Sequence, residues 1–335
     1  MGIDLPLIWF LIIVFSIMMY IVMDGFDLGI GILYPLIKDK SDRDLMMNTV
    51  APVWDGNETW LVLGGAGLFG AFPLAYAIIL DALAIPLTIM LLGLIFRGVA
   101  FEFRFKATAK HQHLWDKAFI VGSILATFMQ GVVVGAIIEG FTVENRVYMG
   151  SYFDWLAPFP FFCGLGLVIA YALLGCGWLV MKTEGHLQQK MYRVLPSLTL
   201  LMLAIIAIIS IWTPLAHSAI AERWFSLPNL FFFIPVPLMV LWSSWQLLKA
   251  NCNSKHYTPF LSALLLIFMG FSGLGISIWP NIIPPFISYE EAASPPQSLG
   301  FMLVGALFII PIILTYTFWS YYVFRGKITH EQGYH

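Results

Sequence analysis

The stretch NTVAPVWDGNETWLVLGGAGLFGAF, residues 48–72, divides sharply into a polar head and an apolar body. Asp55, Asn57 and Glu58 crowd between Trp54 and Trp60, and no charged residue follows from Leu61 to Phe72. No lysine or arginine stands beside the two acids. The whole chain is built in the same idiom. Its 335 residues are 60% hydrophobic and only 11% charged, with a mean hydropathy of +0.85. Soluble domains run at about 45–50% apolar and about 25% charged, so this excess is too large for a soluble core to absorb. Apolar runs of ~20 residues recur, enough to cross a ~30 Å hydrocarbon layer at 1.5 Å per residue. In lipid only helices and closed barrels satisfy the backbone, and the runs are continuous rather than alternating, which selects helices. The fold class is an all-α polytopic membrane protein.

Working outward from that stretch, the sequence predicts nine spans, at about 7–36, 58–73, 75–96, 118–138, 157–181, 194–216, 228–248, 258–282 and 299–323. The second run is short, so its helix is expected to start near Pro52. The first is long, and its last third is expected to be interrupted by DGFD, residues 24–27. MGIDLPLIW has no positive n-region and no small-residue cleavage site follows, so the first run reads as a retained helix. All basic residues except Arg146 and Arg223 fall in the odd-numbered loops and the tail. The positive-inside rule then puts the N-terminus outside (periplasmic) and the C-terminus in the cytoplasm. The outer loops near 139–156 and 283–298 are acidic and punctuated by Pro, Gly and Ser. A net charge of −2 suggests no nucleic-acid partner. Cys163 and Cys176 would lie ~20 Å apart on one helix, too far for a disulfide, and with Cys252 they form no metal-type spacing.

Chemistry must be sought among the acids. Six of the seven histidines (His111, His113, His186, His256, His330 and His335) fall in loops or the tail, and His217 sits at an outer span end. A bis-histidine haem site inside this chain alone is therefore disfavoured. Asp24, Asp27, Asp55, Glu58 and Asp81 lie in or beside spans. Every basic residue falls in a loop or at a span end, so these acids are expected to lack a countercharge within the bilayer. A carboxylate at a helix centre costs about 2.5–3.5 kcal/mol on insertion scales and usually marks function or a wet cavity. Asp24 lies ~26 Å along the first span, with Asp27 one turn deeper on the same face. Asp55 and Glu58 share a face at the start of the second. Dipole compensation, worth ~0.3–1 kcal/mol in a first turn, accounts for Asp55 and Glu58 but not for Asp24 and Asp27. Proton entry from the cytoplasm accounts for all four, with Asn57 helping to hold water. Asp81 is equally a structural acid or an outer relay member. Trp54 and Trp60 suit a membrane interface. FRGVAFEFRFKATAK, residues 96–110, suits a basic anchor among lipid headgroups.

MDGFDLGIG, NTVAPVWDGNETWL and IFRGVAFEFRFK, in this order and spacing, closely resemble subunit II of the cytochrome bd quinol oxidases, and the likeness runs through the YTFWSYYVFRGKI ending. The N-terminal third looks most like the cyanide-insensitive branch. The resemblance implies nine helices as two four-helix bundles plus one peripheral helix, packed against a haem-bearing subunit I of similar architecture. That partner would carry haem b and haem d and the quinol site. The assembly would lie in a bacterial cytoplasmic (inner) membrane and reduce oxygen to water. The resemblance leaves room for a bound structural quinone or lipid and a small single-helix accessory subunit. It implies that Asp55 lies on a proton route from the cytoplasm, that Asp24 and Asp27 are the DGFD acids, and that Trp60, with Trp54 nearby, borders an oxygen entry. Glu58 departs from members with a neutral amide there, and Asp81 is not general to the family.

On this reading the acids are unpaired because they change protonation, and a fixed cation beside them would trap the charged form. Two other readings compete. A proton-coupled secondary transporter would show broken helices at the midplane and an inverted repeat, and neither is evident. A bare membrane scaffold leaves the acid pairs unexplained.

Overall fold

A computed structural model describes residues 3–252 and 255–328; His330 and His335 lie outside the described residues. Helix α1 (Leu5–Leu33) runs into a 3₁₀ turn (Tyr34–Leu36). Next come the short α2 (Lys40–Asn48), then α3 (Trp54–Ala71), α4 (Pro73–Arg104) and α5 (Gln112–Glu139). A hairpin of β1 (Val143–Glu144) and β2 (Val147–Tyr148) leads to α6 (Pro158–Lys182) and α7 (Gly185–Ala216). The short α8 (Ser218–Phe225) and α9 (Asn229–Phe233) precede α10 (Pro235–Lys249) and α11 (Thr258–Ile278). A second hairpin, β3 (Asn281–Ile283) with β4 (Ile287–Ser288), passes through α12 (Tyr289–Ala292) to α13 (Pro296–Val323).

Among the described residues eight helical segments are long and apolar enough to cross a membrane: 5–36, 73–104, 112–139, 158–182, 185–216, 229–249, 258–278 and 296–323. Helix α3 is not among them, because its first two turns carry Asp55, Asn57 and Glu58. It begins at Trp54, next to the expected start near Pro52. Prolines open α1, α4, α6, α10, α11 and α13, where the missing N–H is one that no helix uses. Asp4 accepts from the Leu7 amide at 3.0 Å to cap α1. Inside α4, Pro86 removes the hydrogen bond to residue 82, and the backbone leaves helical geometry at Leu83 (φ −122°, ψ 20°), the expected consequence of an internal proline.

Several features differ from expectation, among them the start of α5 at Gln112 rather than 118. DGFD does not interrupt α1, which stays helical to Leu33. Helix α4 continues past the expected end at 96 to Arg104, so FRGVAFEFR is helix and its Arg97 and Arg104 are buried rather than set among headgroups. Helix α7 starts at Gly185 instead of 194 and carries Pro196 within it.

Helix α1 packs against α3, α5 and α6; α4 packs along α5; and α6 also packs against α5, α7 and α11. Helix α13 touches only α3 and α1 extensively and buries little beyond Leu299, Ala306 and Thr317. The two ends of the molecule are tied differently. At one, the β1–β2 turn (Asn145 and Arg146, φ 50° and 67°) is a tight two-residue hairpin, and Arg146 donates to the Glu291 carbonyl at 3.1 Å, joining the two expected outer loops. At the other, the basic segments meet. Arg104 bridges Asp116 and Asp44 at 2.5 and 2.6 Å, Arg43 reaches Asp116 at 3.2 Å, and Lys182 donates to the Phe324 carbonyl at 2.6 Å. Cys163 and Cys176 both lie on α6, buried and free.

Close approach of α1 and α6 depends on glycine. A methyl at Gly29 would overlap the Tyr171 carbonyl, and one at Gly175 would meet the Gly29 carbonyl carbon at 2.6 Å. Such small-residue contacts replace the absent hydrophobic drive between helices in lipid. Gly29→Ala is expected to destabilise the purified protein by about 1–3 kcal/mol through overpacking. Gly270→Ala, where a methyl meets nothing within 4 Å, is expected to leave stability unchanged or slightly raised. Thermal unfolding of the two variants checks this.

Candidate functional site

The acids singled out in the sequence converge, but on a partner the sequence reading did not assign them. Asp24 and Asp27, one turn apart on α1, face Asn57 and Glu58 on α3. Arg97 of α4 enters between them. Its Nη2 donates to Asp24 Oδ1 at 2.7 Å and to Glu58 Oε1 at 2.6 Å, and Nη1 lies 3.9 Å from Asp27 Oδ2. The expectation that these acids lack a countercharge is therefore wrong for Asp24, Asp27 and Glu58. Arg97 lies beyond the apolar run that ends at Phe96, yet α4 continues and carries it to the depth of the DGFD acids.

Aromatic and amide groups complete the shell. Asn57 donates from Nδ2 to Asp27 Oδ2 at 2.8 Å and to the Met23 carbonyl at 3.2 Å. Its Oδ1 accepts from Tyr321 of α13 at 2.9 Å. Trp54 stacks on Phe101 with centroids 5.3 Å apart, and the Arg97 guanidinium carbon lies 5.9 Å from both rings, within cation–π range. Trp54 thus covers the arginine. Trp60 is fully buried, edge-on to Phe15 at 5.7 Å, so the interface reading does not describe it.

Accessibility falls stepwise through the acids. Asp55 is exposed and its carboxylate makes no hydrogen bond or ion pair among the described residues. Glu58, one turn on, keeps 28% of its side chain exposed. Asp24 and Asp27 keep 1% and 0%. Asp24 Oδ2, Asp27 Oδ1, and Arg97 Nε and Nη1 have no hydrogen-bond partner among the described residues. Beyond them Gln130 donates to Tyr20 Oη at 2.7 Å and accepts from Tyr171 Oη at 3.1 Å. Asp81 does not join this cluster; it is exposed, two residues before the Leu83 break in α4.

Sequence reasoning missed Arg97, Tyr321 and the Tyr20–Gln130–Tyr171 group. The insertion cost of buried acids was itself the signal for Arg97, because it demands a cation at the same depth. Tyr321, far away in the chain, carried no signal.

None of the five described histidines is buried. His111, His113 and His186 are exposed, while His217 and His256 are partly covered. His186 pairs with Asp42 at 3.0 Å, and His256 lies 3.0 Å from Tyr192 Oη.

The family model described as "Cytochrome bd terminal oxidase subunit II" matches residues 5–324. The chain is 28% identical over 365 aligned positions to the cytochrome bd-I ubiquinol oxidase subunit 2 of Escherichia coli K12, covering 98% of this chain and 96% of that one. It is 27% identical over 339 to the cytochrome bd ubiquinol oxidase subunit 2 of Bacillus subtilis 168, covering 97% of each. A chain of the solved bd oxidase structure from Geobacillus thermodenitrificans shares the fold, with a TM-score of 0.74 at 18% identity over 93% of this chain and 97% of that one.

Removing Arg97 leaves three carboxyls around a buried gap. Breaking a buried ion pair by deleting one partner costs about 3–5 kcal/mol. Arg97→Gln is therefore expected to lower thermal stability and yield sharply, while Asp55→Asn changes stability by at most about 1 kcal/mol. Thermal unfolding of both variants in the same detergent measures the difference.

Proposed function

This chain belongs to the cytochrome bd terminal oxidase subunit II family, and from that premise we propose how it serves the quinol-oxidising, oxygen-reducing complex of a bacterial inner membrane. It supports a haem-bearing subunit I and gives protons a way in from the cytoplasm. The observation that carries this reading is the graded series of acids, from exposed Asp55 through mostly covered Glu58 to buried Asp24 and Asp27.

Haem b and haem d supply the oxygen chemistry of such a complex. The described histidines of this chain do not suit axial ligation, since none is buried inside the bundle, so we assign the haem ligands to subunit I. The packing of α1, α3, α4 and α5, and of α6, α7, α10 and α11, supports two four-helix bundles with α13 peripheral, counting α3 as a ninth span. The meeting of the basic loops at one end supports an N-terminus outside and a C-terminus inside. A small accessory subunit and a bound structural quinone have room on the exposed apolar faces.

Two quinols supply four electrons and release four protons, and one oxygen takes up four electrons and four protons to give two waters. If release is outside and uptake inside, the enzyme charges the membrane without pumping. Uptake needs a polar thread through an apolar bundle. Asp55 receives the proton, Glu58 lies one turn further along α3, and Asn57 orients the Asp27 carboxylate. Arg97 fixes the buried carboxyls in place. One guanidinium against three carboxyls leaves room for protons in the cluster. The secondary-transporter alternative is set aside by the family match.

Asp55→Asn keeps size and hydrogen-bonding shape but removes the titratable proton. Oxygen consumption per assembled haem d is expected to fall at least tenfold with haem content unchanged; near wild-type turnover would place the proton route elsewhere. Oxygen, small and apolar, partitions into lipid, and we propose a lateral approach beside Trp60. Trp60→Ala is expected to change the oxygen on-rate in flow-flash measurements more than the proton-limited step, and unchanged binding kinetics would refute that approach.

A further inference from the structure

The exposed face of α7 changes character along its length. Over its first turns it carries His186, Gln189, Lys190 and Arg193, at spacings that bring them onto one side of the helix. With Val194 these residues line a groove of about 420 Å³. Further along the same face come exposed leucines, Leu200 and Leu201, at 56% and 50% exposure. A charged groove thus opens directly onto an apolar stripe, about one to two helical turns away.

Two of the basic groups are held in place. Lys190 Nζ donates to the Leu36 carbonyl at 2.6 Å, at the end of the 3₁₀ turn, which leaves two of its three N–H groups for another partner. His186 Nδ1 is 3.0 Å from Asp42 Oδ2 on α2. The third group, Arg193, is exposed and makes no hydrogen bond or ion pair among the described residues. Asp42 is the acid that touches the groove's rim, and it is already engaged with His186. Glu184, the nearest acid before α7, is bridged to Lys327 at 3.2 Å. No carboxylate lines the groove itself. Basic residues at a span end are ordinary by the positive-inside rule. A groove fixed by Leu36 and Asp42, with an unpaired guanidinium and an apolar track leading away, is more than that.

We propose that this groove binds the phosphate of an anionic diacyl phospholipid, with Lys190 and Arg193 on the phosphate and the acyl chains along Leu200 and Leu201. Lysine and arginine clustered at the end of a membrane helix attract anionic lipid headgroups. A zwitterionic lipid would present the same chains without a net charge to match. A free phosphate would match the charge without using the apolar stripe.

The test uses the purified oxidase complex, delipidated in detergent and titrated separately with phosphatidylglycerol, phosphatidylcholine and inorganic phosphate, with bound lipid read by native mass spectrometry. Phosphatidylglycerol is expected to bind more tightly than phosphatidylcholine. Arg193→Gln is expected to weaken it about fivefold and Lys190→Gln/Arg193→Gln about twentyfold or more, on the scale of one interfacial charge each. Arg193 makes no hydrogen bond or ion pair among the described residues, so the single variant should keep haem content and subunit stoichiometry unchanged. Equal binding of the two lipids, or wild-type phosphatidylglycerol affinity in the double variant, would overturn the proposal. Competition by millimolar inorganic phosphate as strong as that by the lipid would overturn the lipid assignment in favour of a free anion. Loss of subunit I from the Arg193→Gln complex would overturn it in favour of a subunit contact.

Discussion

The Arg97 guanidinium is the constraint to which the first half of the molecule answers. It is fully buried and bonded at 2.7 and 2.6 Å to carboxylates from two other helices. A charge taken out of water costs several kcal/mol unless its partners are well placed, so α1, α3 and α4 must meet in one register or the site is costly. Asn57 extends the demand to α13 through Tyr321. An apolar interface between these helices would tolerate sliding and rotation; a guanidinium shared by Asp24 and Glu58 does not. Polar groups can fix register in lipid for this reason, since apolar side chains gain little from each other that lipid tails would not also supply.

Packing on the other side of α1 is organised to match. Gly29 and Gly175 let the backbones of α1 and α6 approach until Tyr171 reaches the α1–α5 seam. There Gln130 takes a hydrogen bond from Tyr171 and gives one to Tyr20, so the polar groups beside Asp24 are satisfied among themselves. The same helix thus presents acids to α3 and α4 and small residues to α6. That explains why DGFD does not break α1. Its acids face a shared cation and its glycine lies in a close contact, so nothing is gained by leaving the helix.

What could be read from the sequence and what could not follow from range. Continuous apolar runs, opening prolines and the lysine and arginine bias are local signals, and they gave the membrane class, the start of α3 near Pro52 and the grouping of basic loops at one end. The acids were found from their cost in lipid. Their partner was not, because the apolar run ends at Phe96 and a hydropathy reading stops there, whereas the helix continues to Arg104. The burial of Arg97 and Arg104 reflects tertiary pairing with Asp24, Glu58, Asp44 and Asp116, none of which is within ten residues in the chain. Trp60 misled for a related reason: tryptophan prefers interfaces on average, but this one is enclosed by α1 through Phe15. The start of α7 was missed because Lys190 and Arg193 resemble a loop when hydropathy alone is read.

A fixed cation and a mobile proton are usually opposed, since a permanent positive charge holds a nearby carboxylate in its charged form. Here the guanidinium engages only one of the two acids at the start of α3. Glu58 faces Arg97, whereas Asp55, one turn earlier, is exposed and bonded to nothing among the described residues. The arginine can therefore hold the helices together without holding Asp55. Asn57 sits between these roles, neutral, donating to Asp27 and accepting from Tyr321, so it ties the deep carboxylate to α13 while adding no charge of its own. The order acid, amide, acid within WDGNE thus sets, within one helical turn, an exposed carboxylate at Asp55 beside one at Glu58 that is committed to the buried arginine.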